Sequence, residues 1–135
     1  IFIKYIMTCF WDGIMKSLNQ NDFELINEKK INNFEFIKML KRRKIPMTNV
    51  LWENQNLSDN EIKEHLLAID EYDINGIPGG HLTSSCDSFL LLICELFKVN
   101  IEHMYMIHTI KYKNTKEVRK TLYYSSNDKH FVFSR

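Results

Sequence analysis

Residues 89–97 read Phe89-Leu90-Leu91-Leu92-Ile93-Cys94-Glu95-Leu96-Phe97, an almost unbroken apolar segment. It is preceded by Ser84-Ser85-Cys86-Asp87, which contains side chains that commonly cap helix N-termini. A helix that is apolar nearly all round is stable in water only when it is buried on every side. The segment therefore predicts a helix at the centre of the fold, with the other elements packed around it.

Three further helices are predicted before this central one. In residues 9–19 apolar side chains recur every four positions, and Thr8 is a suitable N-cap. A second pattern covers residues 33–44 and ends in basic side chains, which we interpret as a solvated helix end that complements the helix dipole. The third follows Ser58-Asp59-Asn60-Glu61, which has capping-box spacing. Residues 74–80 hold three of the four glycines and are predicted to form a loop.

The pattern changes after Asn100. Short β-branched or aromatic runs follow at residues 101–107, 109–112, 121–124 and 131–133, with polar turns between them. Strands that meet at such short turns usually form an antiparallel sheet. Because helices come first and strands follow, the sequence predicts an α+β fold, with N-terminal helices packed on a small, mainly antiparallel sheet.

The length of 135 residues suits a single domain covering residues 1–135. Lys and Arg number 18 and Asp and Glu 17, so the net charge of +1 argues against a nucleic-acid partner. No apolar run approaches about 18 residues, and we predict no transmembrane segment in this fragment. The chain begins at Ile1 rather than Met, so we expect it to be part of a longer protein.

Two compositional features bear on the source and the compartment. Ile, Lys and Asn are abundant while Ala68 is the single alanine, a bias typical of an AT-rich virus, parasite or bacterium. The three cysteines are an odd number without tight spacing, which argues against a disulfide scaffold. We therefore expect a reducing intracellular compartment, which would be the host cytoplasm for a viral protein.

Cys9 and His130 are the residues most suited to catalysis. Cys9 lies at the predicted start of a helix, where the dipole favours a thiolate, although an inert buried cysteine is the commoner role. His130 lies at a predicted junction between a turn and a strand, and an imidazole is a suitable general base, although exposed loop histidines are common.

The remaining candidate residues give weaker signals. The other four histidines are expected to be surface or structural residues: His65, His81, His103 and His108. No Cys-x-x-Cys, His-Glu-x-x-His or phosphate-binding glycine motif occurs, so neither a metal nor a cofactor is predicted. The carboxylates of Asp70-Glu71 and Asp73 are best explained by a solvated loop.

Four segments together resemble the ovarian-tumour (OTU) family of papain-like cysteine proteases, most of which are deubiquitinases. Residues 8–14, Thr8-Cys9-Phe10-Trp11-Asp12-Gly13-Ile14, are similar to the block that opens the family's catalytic helix. Residues 80–97 resemble its glycine-rich approach and central helix, and Val99-Asn100-Ile101 its link into the first core strand. Lys129-His130-Phe131 resembles its terminal His-aromatic pair. The resemblance spans residues 8–133, nearly the whole chain.

This resemblance implies a specific activity. Cys9 would be the nucleophile and His130 the general base, and the backbone N–H of Cys9 would contribute to the oxyanion hole. The partner and substrate would be a conjugate of ubiquitin or a ubiquitin-like protein. Cleavage would follow the C-terminal glycine and pass through an acyl-enzyme. No cofactor or metal is implied.

The sequence also departs from the family. Ile6 stands where the family usually has an acid, and Val132 where many members have Asp or Asn. A third residue normally orients the imidazole, so the chain either uses a Cys-His dyad or recruits Asn127 or Asp128. Two other hypotheses stay open: an inactive OTU-like domain that binds ubiquitin or another protein, and an unrelated α+β interaction domain.

Overall fold

The computed structural model describes residues 2–74, 83–127 and 130–135, with side chains from Phe10 onward and, after the gap at 75–82, from Cys86 onward. The described helices are α1 (Phe2–Ser17), α2 (Gln20–Leu25), α3 (Asn33–Arg43), α4 (Asp59–Glu71) and α5 (Thr83–Phe97). The strands are β1 (Val50–Trp52), β2 (Gln55–Asn56), β3 (Asn100–Tyr105), β4 (His108–Asn114), β5 (Thr121–Ser126) and β6 (Phe131–Phe133). The predicted α+β fold is confirmed. Within this part of the chain, no helix has the length and apolar character needed to cross a membrane.

The six strands form one sheet in the order β2-β1-β4-β3-β5-β6. Neighbouring strands run antiparallel except for β3 and β5, which are parallel. On β3, Ile101 lies opposite Tyr112 of β4 and Leu122 of β5, and all three side chains are buried. Because strand side chains alternate between faces, these residues mark the face of the sheet on which the helices pack.

Helix α5 forms the centre of the core, as predicted. The side chains from Phe89 to Ile93, and that of Cys94, are completely buried. Burying a Leu, Ile or Phe side chain contributes roughly 1.5–3 kcal/mol, so this one segment supplies a large share of the apolar driving force. The helix begins at Thr83, one residue before the predicted capping segment.

Strands β1 and β2 were not predicted, and they lie between α3 and α4 rather than after the helices. The two residues that join them, Glu53 and Asn54, both have positive φ (53° and 65°). The type I′ turn of a two-residue hairpin needs positive φ at both positions, and Asn-Gly or Asp-Gly is its usual sequence signal. Glu53-Asn54 lacks the glycine, so the sequence here carries no clear signal for a hairpin.

The predicted capping box of α4 is confirmed, since the Ser58 hydroxyl accepts from the Glu61 N–H and the Glu61 carboxylate from the Ser58 N–H. The basic residues at the end of α3 form ion pairs with other segments of the chain, in addition to being partly solvated. Arg43 Nη1 lies 2.7 Å from Glu28 Oε2, and Lys44 Nζ lies 2.8 Å from Asp70 Oδ1. These ion pairs connect the end of α3 to the segment after α2 and to α4.

The prediction that the first helix begins at Cys9, with Thr8 as its cap, is wrong. Helix α1 begins at Phe2 and ends at Ser17, so both residues lie inside it. The four-residue apolar spacing extends backward through Phe10 and Ile6 to Phe2, which explains the longer helix. Residues 2 and 3 are accordingly helical.

Candidate active site

Cys9 is the eighth residue of α1, and its side chain lies outside the described part of the structure. Only the first four N–H groups of a helix lack an intrahelical acceptor, and the effect of the dipole is confined to the terminal turn. The expected stabilisation of a Cys9 thiolate by a helix terminus therefore does not hold. For the same reason, the Cys9 N–H is not free to serve as an oxyanion donor.

His130 lies directly before β6, as predicted, at the end of the turn that follows β5. Two hydrogen bonds close this turn. The Asn127 N–H donates to the His130 carbonyl at 2.9 Å, and the His130 N–H donates to Asn127 Oδ1 at 2.9 Å. Asn127, one of the two candidates for a third catalytic residue, thus binds the backbone of His130. The other candidate, Asp128, lies outside the described residues.

Helix α1 packs against β6 through residues that follow the two candidate catalytic positions. The rings of Phe10 and Phe131 have their centroids 4.8 Å apart. Gly13, one helical turn after Cys9, lies so close that a Cβ there would be 2.9 Å from Phe131 Cδ1. The residue after Cys9 therefore contacts the residue after His130. The fold brings the two chain segments to the same end of the sheet.

His103, for which the sequence predicts a surface or structural role, lies at the same place. It follows Ile101 by two positions on β3 and so lies on the helix-facing side. Its Nε2 is 2.6 Å from Ser126 Oγ, and its ring centroid is 5.2 Å from that of Phe131. Burial lowers the pKa of His103 to about 4, which keeps the ring neutral near neutral pH. Strand alternation from Ile101 is the sequence signal that would have found it.

Nδ1 of His103 is buried and has no hydrogen-bond partner among the described residues. A buried polar atom in that state costs about 1–3 kcal/mol. Such a cost is easier to explain at a functional site than in an ordinary core.

The other described histidines fit the expectation of surface or structural roles. His65 Nδ1 lies 2.8 Å from Ser88 Oγ, with the Trp52 ring against its own. Burial lowers the pKa of His65, while the nearby Asp87 carboxylate acts in the opposite direction. His108 is exposed beside Glu53 at 3.2 Å. The remaining histidine, His81, lies outside the described residues.

Two of the three cysteines are poorly suited to nucleophilic chemistry. Burial raises the pKa of the Cys86 thiol to about 12 and that of the Cys94 thiol well above its ordinary value. Both therefore remain protonated at neutral pH, and a protonated thiol is a weak nucleophile. This leaves Cys9 as the candidate nucleophile. In the described ranges, no group of three or more His, Cys, Asp or Glu side chains is arranged to hold a metal ion.

The chain matches no protein-family model, no curated protein and no solved structure. The assignment of a function therefore depends on the residues and geometry of this site.

Proposed function

We propose that this domain is a cysteine isopeptidase that cleaves after the C-terminal glycine of ubiquitin or a ubiquitin-like protein. Cys9 is the nucleophile and His130 the general base of a papain-like, OTU-type site. The observation that carries this proposal is the contact between Phe10 and Phe131, because these residues directly follow Cys9 and His130. The substrate class comes from the resemblance of the four segments to the OTU family.

In the proposed reaction, the His130 imidazole removes the proton from the Cys9 thiol. The thiolate attacks the carbonyl carbon of the glycine, and His130 then protonates the departing lysine amine. The resulting thioester is hydrolysed by water, which His130 deprotonates, and the products are a free carboxylate and the regenerated thiol. Since Cys9 is not at a helix terminus, the neighbouring imidazolium must supply most of the thiolate stabilisation.

The turn geometry favours a Cys-His dyad supported by the backbone. Asn127 holds His130 in place through two hydrogen bonds to its main chain. Asn127→Ala removes the side-chain oxygen that accepts from the His130 N–H and keeps the backbone bond, so the turn should loosen only in part. We therefore expect the activity of Asn127→Ala to lie below that of wild type and above that of His130→Ala.

A second function has one observation in its favour. Helix α1 begins at Phe2, which removes the helix-terminus contribution to Cys9 reactivity and the expected oxyanion donor. An OTU-like domain that lacks both of these contributions would bind ubiquitin or another protein without cleaving it efficiently. A ubiquitin titration followed by NMR distinguishes this alternative from a domain with no affinity for ubiquitin.

The isopeptidase proposal is tested by intact-mass measurement after incubation with ubiquitin carrying a C-terminal thiol-reactive electrophile. The proteins are wild type, Cys9→Ala, His130→Ala and the matched control His108→Ala, which removes an exposed histidine on β4. We expect one ubiquitin adduct in wild type and in the control, none in Cys9→Ala, and a rate at least about 100-fold lower in His130→Ala.

Folded wild-type protein that forms no adduct with ubiquitin or with ubiquitin-like probes would overturn the isopeptidase proposal. An adduct that persists in Cys9→Ala would show that a different thiol reacts, which also contradicts it.

A further inference from the structure

We propose that His103 is a positioning residue that holds the turn carrying His130 in its reactive place. This inference rests on the proposed function and adds a role for a second histidine. His103 acts through the turn and not on the substrate.

The contacts of His103 reach both ends of this turn. On one side, its Nε2 is 2.6 Å from the hydroxyl of Ser126, the last residue of β5. On the other, its ring lies against Phe131, the first residue of β6, with centroids 5.2 Å apart. The segment between these contacts contains Asn127 and His130. The His103 ring on β3 thus contacts the residue on each side of the turn that carries His130, namely Ser126 and Phe131.

The backbone of Ser126, to which His103 is hydrogen-bonded, is held in place by the strands on both sides of it. Ser126 lies opposite Tyr105 of β3 and opposite Phe131 of β6, so it is paired on both sides. The Met106 N–H also donates to the Ser126 carbonyl at 2.9 Å. The hydrogen bond with Ser126 therefore attaches the His103 ring to a residue whose backbone is already held on both sides. Catalytic groups must be held close to their productive geometry, and contacts with a backbone that is already fixed serve this purpose.

The neutral state of His103 suits this role. Its ring does not take up a proton in the pH range where a Cys-His pair operates, so the bond to Ser126 persists and the ring does not compete with His130 as a base. Described groups around it include Ser126 and Phe131 and, opposite in the register, Tyr124 on β5 and Ile110 on β4. Burial raises the pKa of Tyr124, so that side chain is uncharged as well.

Three variants and a control separate the effect of the His103–Ser126 hydrogen bond from that of the bulk of the His103 ring. His103→Phe keeps an aromatic ring against Phe131 and removes the bond to Ser126. His103→Gln keeps a nitrogen that can donate to Ser126, and Ser126→Ala removes the bond from the other side. The matched control is His108→Phe, at an exposed site on β4.

The first readout is hydrogen exchange of the His130 and Asn127 amides, which reports on the turn whether or not the protein is an enzyme. Losing one hydrogen bond should speed exchange about five- to tenfold in His103→Phe and Ser126→Ala. The double variant His103→Phe/Ser126→Ala should exchange little faster than either single variant, and His103→Gln should exchange at a rate close to that of wild type.

The second readout is the pH dependence of Cys9 alkylation by iodoacetamide, which a merely structural role of His103 would not move. In His103→Phe and Ser126→Ala, we expect the midpoint to shift toward that of a free cysteine, about 8.5, with rescue by His103→Gln. Faster exchange without this shift would overturn the positioning role. Unchanged exchange and midpoint would also overturn it.

The proposed function fails in a different way. If wild-type Cys9 already alkylates with the midpoint of a free cysteine, there is no Cys-His pair, and both proposals are overturned. If the wild-type midpoint is low, ubiquitin electrophile reacts, and the His103 variants behave as wild type, only the inference about His103 is overturned.

Discussion

Phe131 is the side chain that joins helix α1 to the end of the sheet. Its ring contacts Phe10 at 4.8 Å, stacks on Tyr124 at 5.0 Å and lies 5.2 Å from His103. Gly13 covers it from the helix side. Each of these neighbours restricts the ring, so the position of the preceding residue, His130, depends on how Phe131 is packed.

The close approach at Gly13 gives a prediction for Gly13→Ala. Alanine is favoured over glycine within a helix by about 1 kcal/mol, but its Cβ would lie 2.9 Å from Phe131 Cδ1 and 3.1 Å from Cε1. The Phe131 ring is enclosed by other rings and cannot move away easily. We expect overpacking to dominate and to lower the free energy of unfolding by about 1–2 kcal/mol, measured by urea denaturation.

The control for this variant is Lys16→Ala, at an exposed position on the same helix. Its free energy of unfolding should stay within about 0.5 kcal/mol of wild type. A Gly13→Ala protein that is more stable than wild type would show that α1 does not approach Phe131 closely.

His103 predicts a specific pH dependence of stability. Burial lowers its folded-state pKa to about 4, below the ordinary value of about 6.5 that applies in the unfolded chain. As the pH falls below about 6.5, the unfolded state takes up a proton and the folded state does not, so stability decreases until about pH 4 and then levels off for this group. We expect wild type to lose more stability than His103→Gln over this range.

Urea denaturation at several pH values checks this prediction, and the relevant quantity is the difference between the two proteins. Carboxylates and His65 titrate in both proteins and cancel in the comparison. Equal losses in wild type and His103→Gln would mean that His103 is not buried in the neutral state.

At the scale of secondary-structure elements, Asp22 connects the start of α2 to the segment before β5. Its carboxylate accepts from the Asn19 N–H in a capping box and lies 3.0 Å from Arg119 Nη1 and 2.7 Å from Lys120 Nζ. Burial alone would raise the pKa of Asp22, but the bonds from Lys120, Asn19 and Arg119 hold it below its ordinary value. The side chain is almost fully buried, so its charge requires these partners.

Asp22→Asn should therefore be strongly destabilising. The variant leaves the partly buried Arg119 and Lys120 without their carboxylate. Breaking a fully buried pair from one side costs about 3–5 kcal/mol, and the partial exposure of the two cations should reduce this loss to about 2–4 kcal/mol. The matched control is Glu24→Gln, an exposed acid on the same helix, which should change stability by less than about 0.5 kcal/mol. Similar unfolding midpoints for the two variants in urea would contradict the structural role of Asp22.

The elements differ in how far the sequence predicted them, and the reasons are physical. Helix α5 and the capping box of α4 were predictable because burial on all sides and a reciprocal cap depend on local sequence. The Glu53-Asn54 hairpin was not, because its positive φ values occur in a pair that lacks the glycine of the usual Asn-Gly or Asp-Gly signal. The start of α1 was missed because Thr8 resembles a cap, whereas the apolar spacing continues to Phe2.

In the candidate site, too, some features were predictable from local sequence and others depend on long-range packing. Cys9 and His130 can be identified as candidate catalytic residues from their residue types and from the motifs around them. The proposed approach of these two residues depends on the packing of Phe10 and Gly13 on Phe131, which no local pattern encodes. The part played by His103 depends on the parallel pairing of β3 with β5, a long-range arrangement that the sequence did not indicate.

At the scale of the whole molecule, the thiols are divided between the core and the candidate site. Cys94 is fully buried in α5, and burial raises the pKa of Cys86 to about 12. A short pulse of iodoacetamide under native conditions should therefore modify Cys9 alone. In urea all three cysteines should react, as measured by intact mass and peptide mapping. Native modification of Cys86 or Cys94 before Cys9 would contradict this division.

The central claim is that the fold pairs Cys9 with His130, and thiolate ultraviolet absorbance as a function of pH tests it directly. Cys86 and Cys94 do not ionise in the relevant range, so a transition below about pH 8 belongs to Cys9. We predict a wild-type transition at or below about pH 7 that moves to about 8.5 in His130→Ala and stays in place in His108→Ala. A wild-type transition near 8.5 that His130→Ala leaves unchanged would contradict the claim.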